Sequence, residues 1–360
     1  MADLTRRECI QGALVGLAGV GASLPAVAAP TTPAKSGFKL AELFSNPAST
    51  DVKIAKQVGV NHVIAGMTLS RVRREQYVAE AQRIKDGWTA VGMTVAGVEG
   101  HPVGFERLKL GIEGAEDEIE NTKWAIEALS KAGIKMICYN FMAGLGWTRT
   151  RTNLPLRGEA MTSEFDLEAI KAQGMTRYGE VSEEKMWANI THFVKEVMPV
   201  ADKFGVQMAL HPDDPPISPL RGVARIVTSA RSYRRVMDMV PSPMNGVTFC
   251  QANFKLMGED IYSLAKEWTS KKKIFFVHFR DVEGTREKFH ETFHDEGPTD
   301  MVRMLQVYSK AGFNGPIRPD HAPTLEFDKG DTRSGYTMGG KVLAFGYMKG
   351  IMNSLKLPYA

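Results

Sequence analysis

Cysteine is scarce, at three residues in 360, and one of the three, Cys9, lies at the extreme N-terminus. A disulfide-stapled framework is therefore excluded. Long apolar runs are missing as well; the most hydrophobic stretch, Gly12 to Leu24, is too short and too rich in glycine for a good bilayer span. Charge of one sign is also lacking, because 45 Lys and Arg against 41 Asp and Glu leave a formal net charge of +4. The basic residues are scattered, which argues against a nucleic-acid surface, and the one dense run, Lys271 to Lys273, reads as a solvated loop before an apolar strand. No GxGxxG follows the first strand-like segment, which weakens any dinucleotide-binding reading.

The N-terminus has the layout of a leader. Paired Arg6 and Arg7 precede the weakly hydrophobic Gly12–Leu24 stretch, and Ala26-Val27-Ala28 offers a small-x-small cleavage site. Residues 1–28 are expected to be a twin-arginine-type signal peptide, read by the twin-arginine export machinery, with a linker at 29–37 and a catalytic domain over 38–360. The mature protein is then periplasmic or secreted in a bacterium, without a stable membrane anchor. Removing the leader removes Cys9 and leaves Cys138 and Cys250. Their pairing is the weaker reading, since a disulfide would abolish a metal-ligand role for Cys250.

With 43% hydrophobic residues the chain can bury a large core. Eight apolar segments read as strands: 39–44, 62–65, 94–99, 136–141, 207–211, 246–250, 274–279 and 316–320. Amphipathic helical patterns separate them at 74–91, 115–132, 183–204 and 300–311. Gly133 and Gly312 stand where a left-handed residue would stop two of these helices. Strand and helix alternating eight times predict an α/β fold, a (β/α)₈ TIM barrel of roughly 250 residues plus extensions, with a doubly wound sheet as the alternative. The Arg-, Thr- and Gly-rich stretch 144–176 is too long for a simple connection and is expected to form a loop or lid over the barrel mouth.

In such a barrel the C-terminal strand ends converge on one face. His211, Cys250, His278 and Asp320 fall at the ends of strands five to eight, which is the layout of a divalent-metal site. Any one of them alone reads as a buried structural residue; four ligand types at four successive strand ends do not. The mixed nitrogen, sulfur and oxygen set suits Mn²⁺ or Fe²⁺, with Co²⁺ or Zn²⁺ possible, better than Ca²⁺ or Mg²⁺.

Seven segments, YNFMAGLGWTRT at 139–150, ALHPDDPP at 209–216, GVTFC at 246–250, VHFRD at 277–281, FHETFHDEGPTDM at 289–301, RPDH at 318–321 and SGY at 334–336, resemble the mannonate dehydratases in the same order. The resemblance implies a metal-dependent barrel that removes water from D-mannonate to give 2-keto-3-deoxy-D-gluconate. It implies metal ligands at His211, Cys250, His278 and Asp320 and a catalytic tyrosine at Tyr336.

Dehydration of a 3-hydroxy acid requires a proton to leave the carbon beside the carboxylate and hydroxide to leave its neighbour. Tyr336, with a phenol pKa lowered by a nearby cation or metal, is expected to transfer the proton, and otherwise reads as a rim aromatic. His321 is expected to act as the acid for the leaving hydroxyl or to support the ligands. Arg318 and Arg280 are expected to clamp the sugar-acid carboxylate, or else to form salt bridges at the rim. Asn140 is assigned to substrate contact, and His294 to substrate contact or to support of the metal ligands. His290 and His294 are expected to share a helix face, and Asp213 and Asp214 to cap the next helix or else to contact the ligands.

The sequence departs from the family pattern at Ala65-Gly66, where paired histidines are expected, and at Gly146, Gln251-Ala252-Asn253 and Ala322. These changes leave the metal chemistry and alter substrate recognition. An exported isomerase, epimerase or eliminating lyase of the xylose-isomerase-like group is therefore the second enzyme reading, and an exported sugar-binding protein the third. A small-molecule sugar acid is the expected partner, and a homo-oligomer is an open possibility.

Overall fold

A computed structural model describes residues 37–360; the expected signal peptide at 1–28 and nearly all of the expected linker at 29–37 lie outside the described residues. Eight parallel strands close into a barrel: Lys39–Phe44, His62–Ala65, Thr94–Glu99, Met136–Asn140, Gln207–His211, Asn245–Cys250, Ile274–His278 and Pro316–Arg318. The first strand pairs with both the second and the eighth, which closes the ring and confirms the TIM barrel over the doubly wound sheet. Strands such as Asn245–Cys250 and Ile274–His278 are buried at every position, because helices cover one face and the barrel interior the other. Ala41, Ile64, Met136, Cys138, Ala209 and Phe276 pack together as the inner layer. A larger shell, including Trp88, Phe193, Trp268 and Phe345, joins the strands to the helices.

Local chemistry sets the helix ends. Ser182 Oγ accepts from Lys185 N at 3.2 Å to start Glu183–Phe204, and Asp300 Oδ1 accepts from Arg303 N at 2.8 Å to start Met301–Lys310. Gly133 and Gly312, at φ of 76° and 89°, follow the helix ends where the sequence puts them. The segment expected as one helix over 74–91 begins as a 3₁₀ turn, Arg74–Gln76, before Tyr77–Ala90. No helix among the described residues is long and apolar enough to cross a membrane.

The stretch after the fourth strand is more ordered than a loop. Arg151–Pro155 and Met161–Asp166 form a hairpin, which pairs through Lys288–Glu291 with Val282–Gly284 to make a four-stranded sheet. Phe165, Val282 and Phe289 form its core with Leu220 and Leu256. Met161 and Thr324 exchange backbone hydrogen bonds of 3.0 and 2.8 Å, tying this sheet to the segment that leads to Tyr336. The expectation that His290 and His294 share a helix face is wrong. His290 lies in the strand Lys288–Glu291, whose burial alternates, and His294 follows it in a turn.

Candidate active site

His211, Cys250 and His278 are the last residues of three neighbouring strands, and Cys250 stands opposite His278 in the register. Their candidate ligand atoms lie within 4.8 Å of one another. His211 Nε2 is 3.2 Å from His278 Nδ1, while His211 Nδ1 donates to the Pro212 carbonyl at 2.7 Å, so the Nε2 lone pair faces the cluster. Burial raises the Cys250 thiol pKa, but Arg280 and the two histidines outweigh it and hold it at about 6. At neutral pH the sulfur is a thiolate, the form that binds a metal. Asn253 also donates to this sulfur at 3.4 Å, from the first turn after the strand.

Asp320 stands beside this trio rather than within it. Two residues past the eighth strand, at φ of 63°, it brings Oδ2 to 3.4 Å from His278 Nδ1. That oxygen is also held by Arg280 Nε at 2.7 Å, and Oδ1 by Arg318 Nη2 at 2.6 Å. Two guanidiniums thus share the carboxylate in this structure. A second trio, Glu99, Cys138 and His278, is equally close in space. It is a poor cation site: Arg318 Nε lies 3.3 Å from His278 Nε2, and burial pushes the Cys138 thiol well up. Cys138 and Cys250 are both free, so no disulfide competes with the cluster.

Arg280 and Arg318 do not present open forks. Each side chain is 1% exposed. Arg280 donates to both Glu291 oxygens at 2.8 Å and to Asp214, and Arg318 holds Glu99 at 2.8 Å and Asp320. A buried charge must be paired, and the protein's own carboxylates meet that demand before a substrate does. The salt-bridge alternative for these two arginines therefore describes this structure. Arg149 joins the same network, donating to Asp214 at 2.6 Å and to Glu291. Asp214 is consequently an ion-pair partner, and Asp213 accepts from Val227 N at 2.7 Å; neither caps a helix as expected.

His321 Nδ1 lies 3.1 Å from Glu291 Oε1, and its Nε2 lies 2.8 Å from the Tyr336 hydroxyl. Burial would raise the Glu291 pKa, but Arg280, Arg149 and His321 hold it at about 2. The ionised Glu291 accepts from Nδ1–H and leaves Nε2 to accept from the phenol. Tyr336 contradicts the expected lowering: burial, then Asp320, push its pKa well up, overriding Arg318. It holds its proton at neutral pH. Trp147 packs against both rings, at centroid distances of 4.8 Å to His321 and 6.1 Å to Tyr336. Trp147 and Tyr336 border a cavity of about 550 Å³, lined also by Lys341, Arg333, Ser45 and Asn46.

His294 and Asn140 both bond to backbone in this structure. His294 is buried, with Nε2 2.9 Å from the Pro319 carbonyl, where it supports the backbone before Asp320. Asn140 Oδ1 accepts from Met142 N at 3.2 Å. Sequence reasoning overlooked Glu42, Glu99, Arg149, Glu291 and Lys341. For Glu42 and Glu99 a signal existed, since Glu42 is the one charged residue inside the apolar run LAELF and Glu99 the one charged residue of the strand TVAGVE, which it ends.

A family profile for D-mannonate dehydratase (UxuA) matches residues 43–177 and 167–359. Mannonate dehydratase 2 of Halalkalibacterium halodurans is 34% identical over 293 residues, covering 73% of this chain and 83% of that protein. Mannonate dehydratase of Thermotoga petrophila is 30% identical over 332 residues, covering 82% and 91%. The crystal structure of mannonate dehydratase from Streptococcus suis serotype 2 superposes with a TM-score of 0.80 at 25% identity, covering 90% of this chain and 98% of that one. This chain belongs to the D-mannonate dehydratase family.

Proposed function

We propose that the protein is an exported, metal-dependent hydro-lyase that removes water from D-mannonate or a related sugar acid to give the 2-keto-3-deoxy acid. The observation that carries this reading is the Glu291–His321–Tyr336 chain standing beside the His211–Cys250–His278 cluster. The donor set fits a borderline divalent ion such as Mn²⁺, Fe²⁺, Co²⁺ or Zn²⁺, held by His211, Cys250 and His278 with Asp320 as the adjoining carboxylate. When bound, such an ion polarises substrate oxygens and offsets the negative charge that develops as the carbon proton leaves.

The chain's own residues handle the proton. Tyr336 presents a protonated hydroxyl at the cavity wall, and His321 Nε2 behind it accepts through that hydroxyl. Glu291 fixes the His321 tautomer and stabilises the cation that forms. The proton taken from the carbon beside the carboxylate is returned along the same path to the departing hydroxide, releasing water and an enol that becomes the ketone. Trp147 shields this path from solvent.

The test is metal content together with turnover of the purified protein. One equivalent of Mn, Fe, Co or Zn and a 2-keto-3-deoxy product from D-mannonate are expected; full metal occupancy with no product from D-mannonate or other aldonic acids would overturn the hydro-lyase reading. Export rests on Arg6, Arg7 and the Ala26-Val27-Ala28 site. Replacing both arginines by lysine is expected to hold the protein in the cytoplasmic fraction, and unchanged export would remove the twin-arginine route.

A further inference from the structure

We infer that Glu42, Glu99, Arg318 and Lys341 form a buried subsite for vicinal hydroxyl groups of the substrate chain. Glu42 lies in the first strand, Glu99 ends the third, Arg318 ends the eighth, and Lys341 is in the helix Met338–Ser354. Barrel closure brings them together. Arg318 spans the two carboxylates, with Nη1 3.7 Å from Glu42 Oε1 and Nη2 2.8 Å from Glu99 Oε1. Lys341 donates to the same Glu42 oxygen.

Each carboxylate therefore uses one oxygen and leaves the other. Among the described residues, Glu42 Oε2, Glu99 Oε2 and Arg318 Nη1 are buried without a hydrogen-bond partner; Glu99 Oε2 has only the 3.5 Å approach of His278 Nε2. Glu42 and Arg318 are both 0% exposed. Buried polar atoms without partners are rare and costly, so one guanidinium nitrogen and two carboxylate oxygens left unpaired together mark a place that an occupant completes.

The unpartnered atoms define that occupant. Two carboxylate oxygens demand O–H donors and repel an anion, while Nη1 demands an oxygen acceptor. A hydroxyl meets both demands, and neighbouring hydroxyls of a polyol chain meet them together; the acid end of the molecule does not. Two of the four residues border open space, while Glu42 and Arg318 lie buried behind them. Lys341 lines the cavity that holds Tyr336, and Glu99 lines a second of about 510 Å³; the two cavities share Ser45. Arg318 Nε lies 3.3 Å from His278 Nε2, so bound hydroxyls adjoin the candidate metal ligands.

This inference rests on the sugar-acid reading and has its own test. The native enzyme, loaded with Mn²⁺, is compared on D-mannonate and on its 4-deoxy and 5-deoxy analogues. A site built to bond a hydroxyl is expected to disfavour at least one analogue by about 100-fold or more in kcat/KM. Glu99→Gln, and the charge-balanced pair Glu42→Gln with Lys341→Met, are expected to reduce that discrimination below about tenfold, mainly through KM. Undiminished discrimination in variants that fold by circular dichroism, or none in the native protein, would overturn the subsite and leave the hydro-lyase reading standing. If the native protein turns over neither D-mannonate nor other aldonic acids, that reading fails by itself. Calorimetric titration with aldonic acids and their deoxy analogues then decides the subsite: tighter binding of a hydroxylated chain supports it, and equal or absent binding overturns it.

Discussion

Cys250 shows how much a single side chain's setting depends on neighbours that are distant in sequence. Its thiolate is held by Arg280 and two histidines against the cost of burial. Cys250→Ser replaces a soft anionic ligand with a neutral hydroxyl, and metal occupancy measured by elemental analysis is expected to fall severely; full occupancy would exclude Cys250 from the site. Tyr336→Phe removes the hydroxyl bonded to His321. Metal content is expected to hold while kcat falls by about 100-fold or more, and native turnover would reduce Tyr336 to a rim aromatic. Glu291 links charge to stability: its folded pKa of about 2 lies below the ordinary 4.5. The unfolded state binds more protons between those values, so its stabilising contribution is complete above 4.5 and is lost as pH falls toward 2. Urea midpoints measured from pH 6 to 3 are expected to drop more steeply below pH 4.5 in the native protein than in Glu291→Gln. The role of Glu291 was not legible in FHETFH, because its partners Arg149 and Arg280 come from two other segments.

Among the elements, the barrel strands were readable and the small antiparallel sheet was not. The barrel strands are continuous apolar runs buried on both faces, a pattern that needs no knowledge of partners. Arg151–Pro155 is mostly exposed and polar, and becomes a strand only because Met161–Asp166 pairs with it, which itself pairs with Lys288–Glu291 far along the chain. Strand propensity of that kind is set by neighbours. Arg149, just before this hairpin, bonds Asp214 and Glu291 and stacks on Phe289 at 4.9 Å and on Trp147 at 4.8 Å. Arg149→Met leaves two buried carboxylates to share Arg280, and a loss of about 3–5 kcal/mol in urea unfolding is expected. A change under 1 kcal/mol would mean that the sheet is anchored elsewhere.

For the whole molecule, barrel closure gathers charges that the chain keeps far apart. Loading a divalent ion onto the strand-end cluster stabilises the folded state by mass action, so chelation is expected to abolish turnover and lower the thermal midpoint by several degrees, both restored by Mn²⁺. An unmoved midpoint and intact activity after complete metal removal would contradict a catalytic ion. By itself the sequence determined the (β/α)₈ alternation, the strands that carry His211, Cys250 and His278, and the family, because hydrophobic periodicity and ordered motifs are properties of short segments. Only the tertiary structure decided which charges pair. Arg280 and Arg318 went to Asp214, Glu291, Glu99 and Asp320, and burial made Tyr336 a weaker acid that keeps its proton. Coulombic and desolvation energies depend on distances across the closed barrel, and no spacing along the chain encodes them.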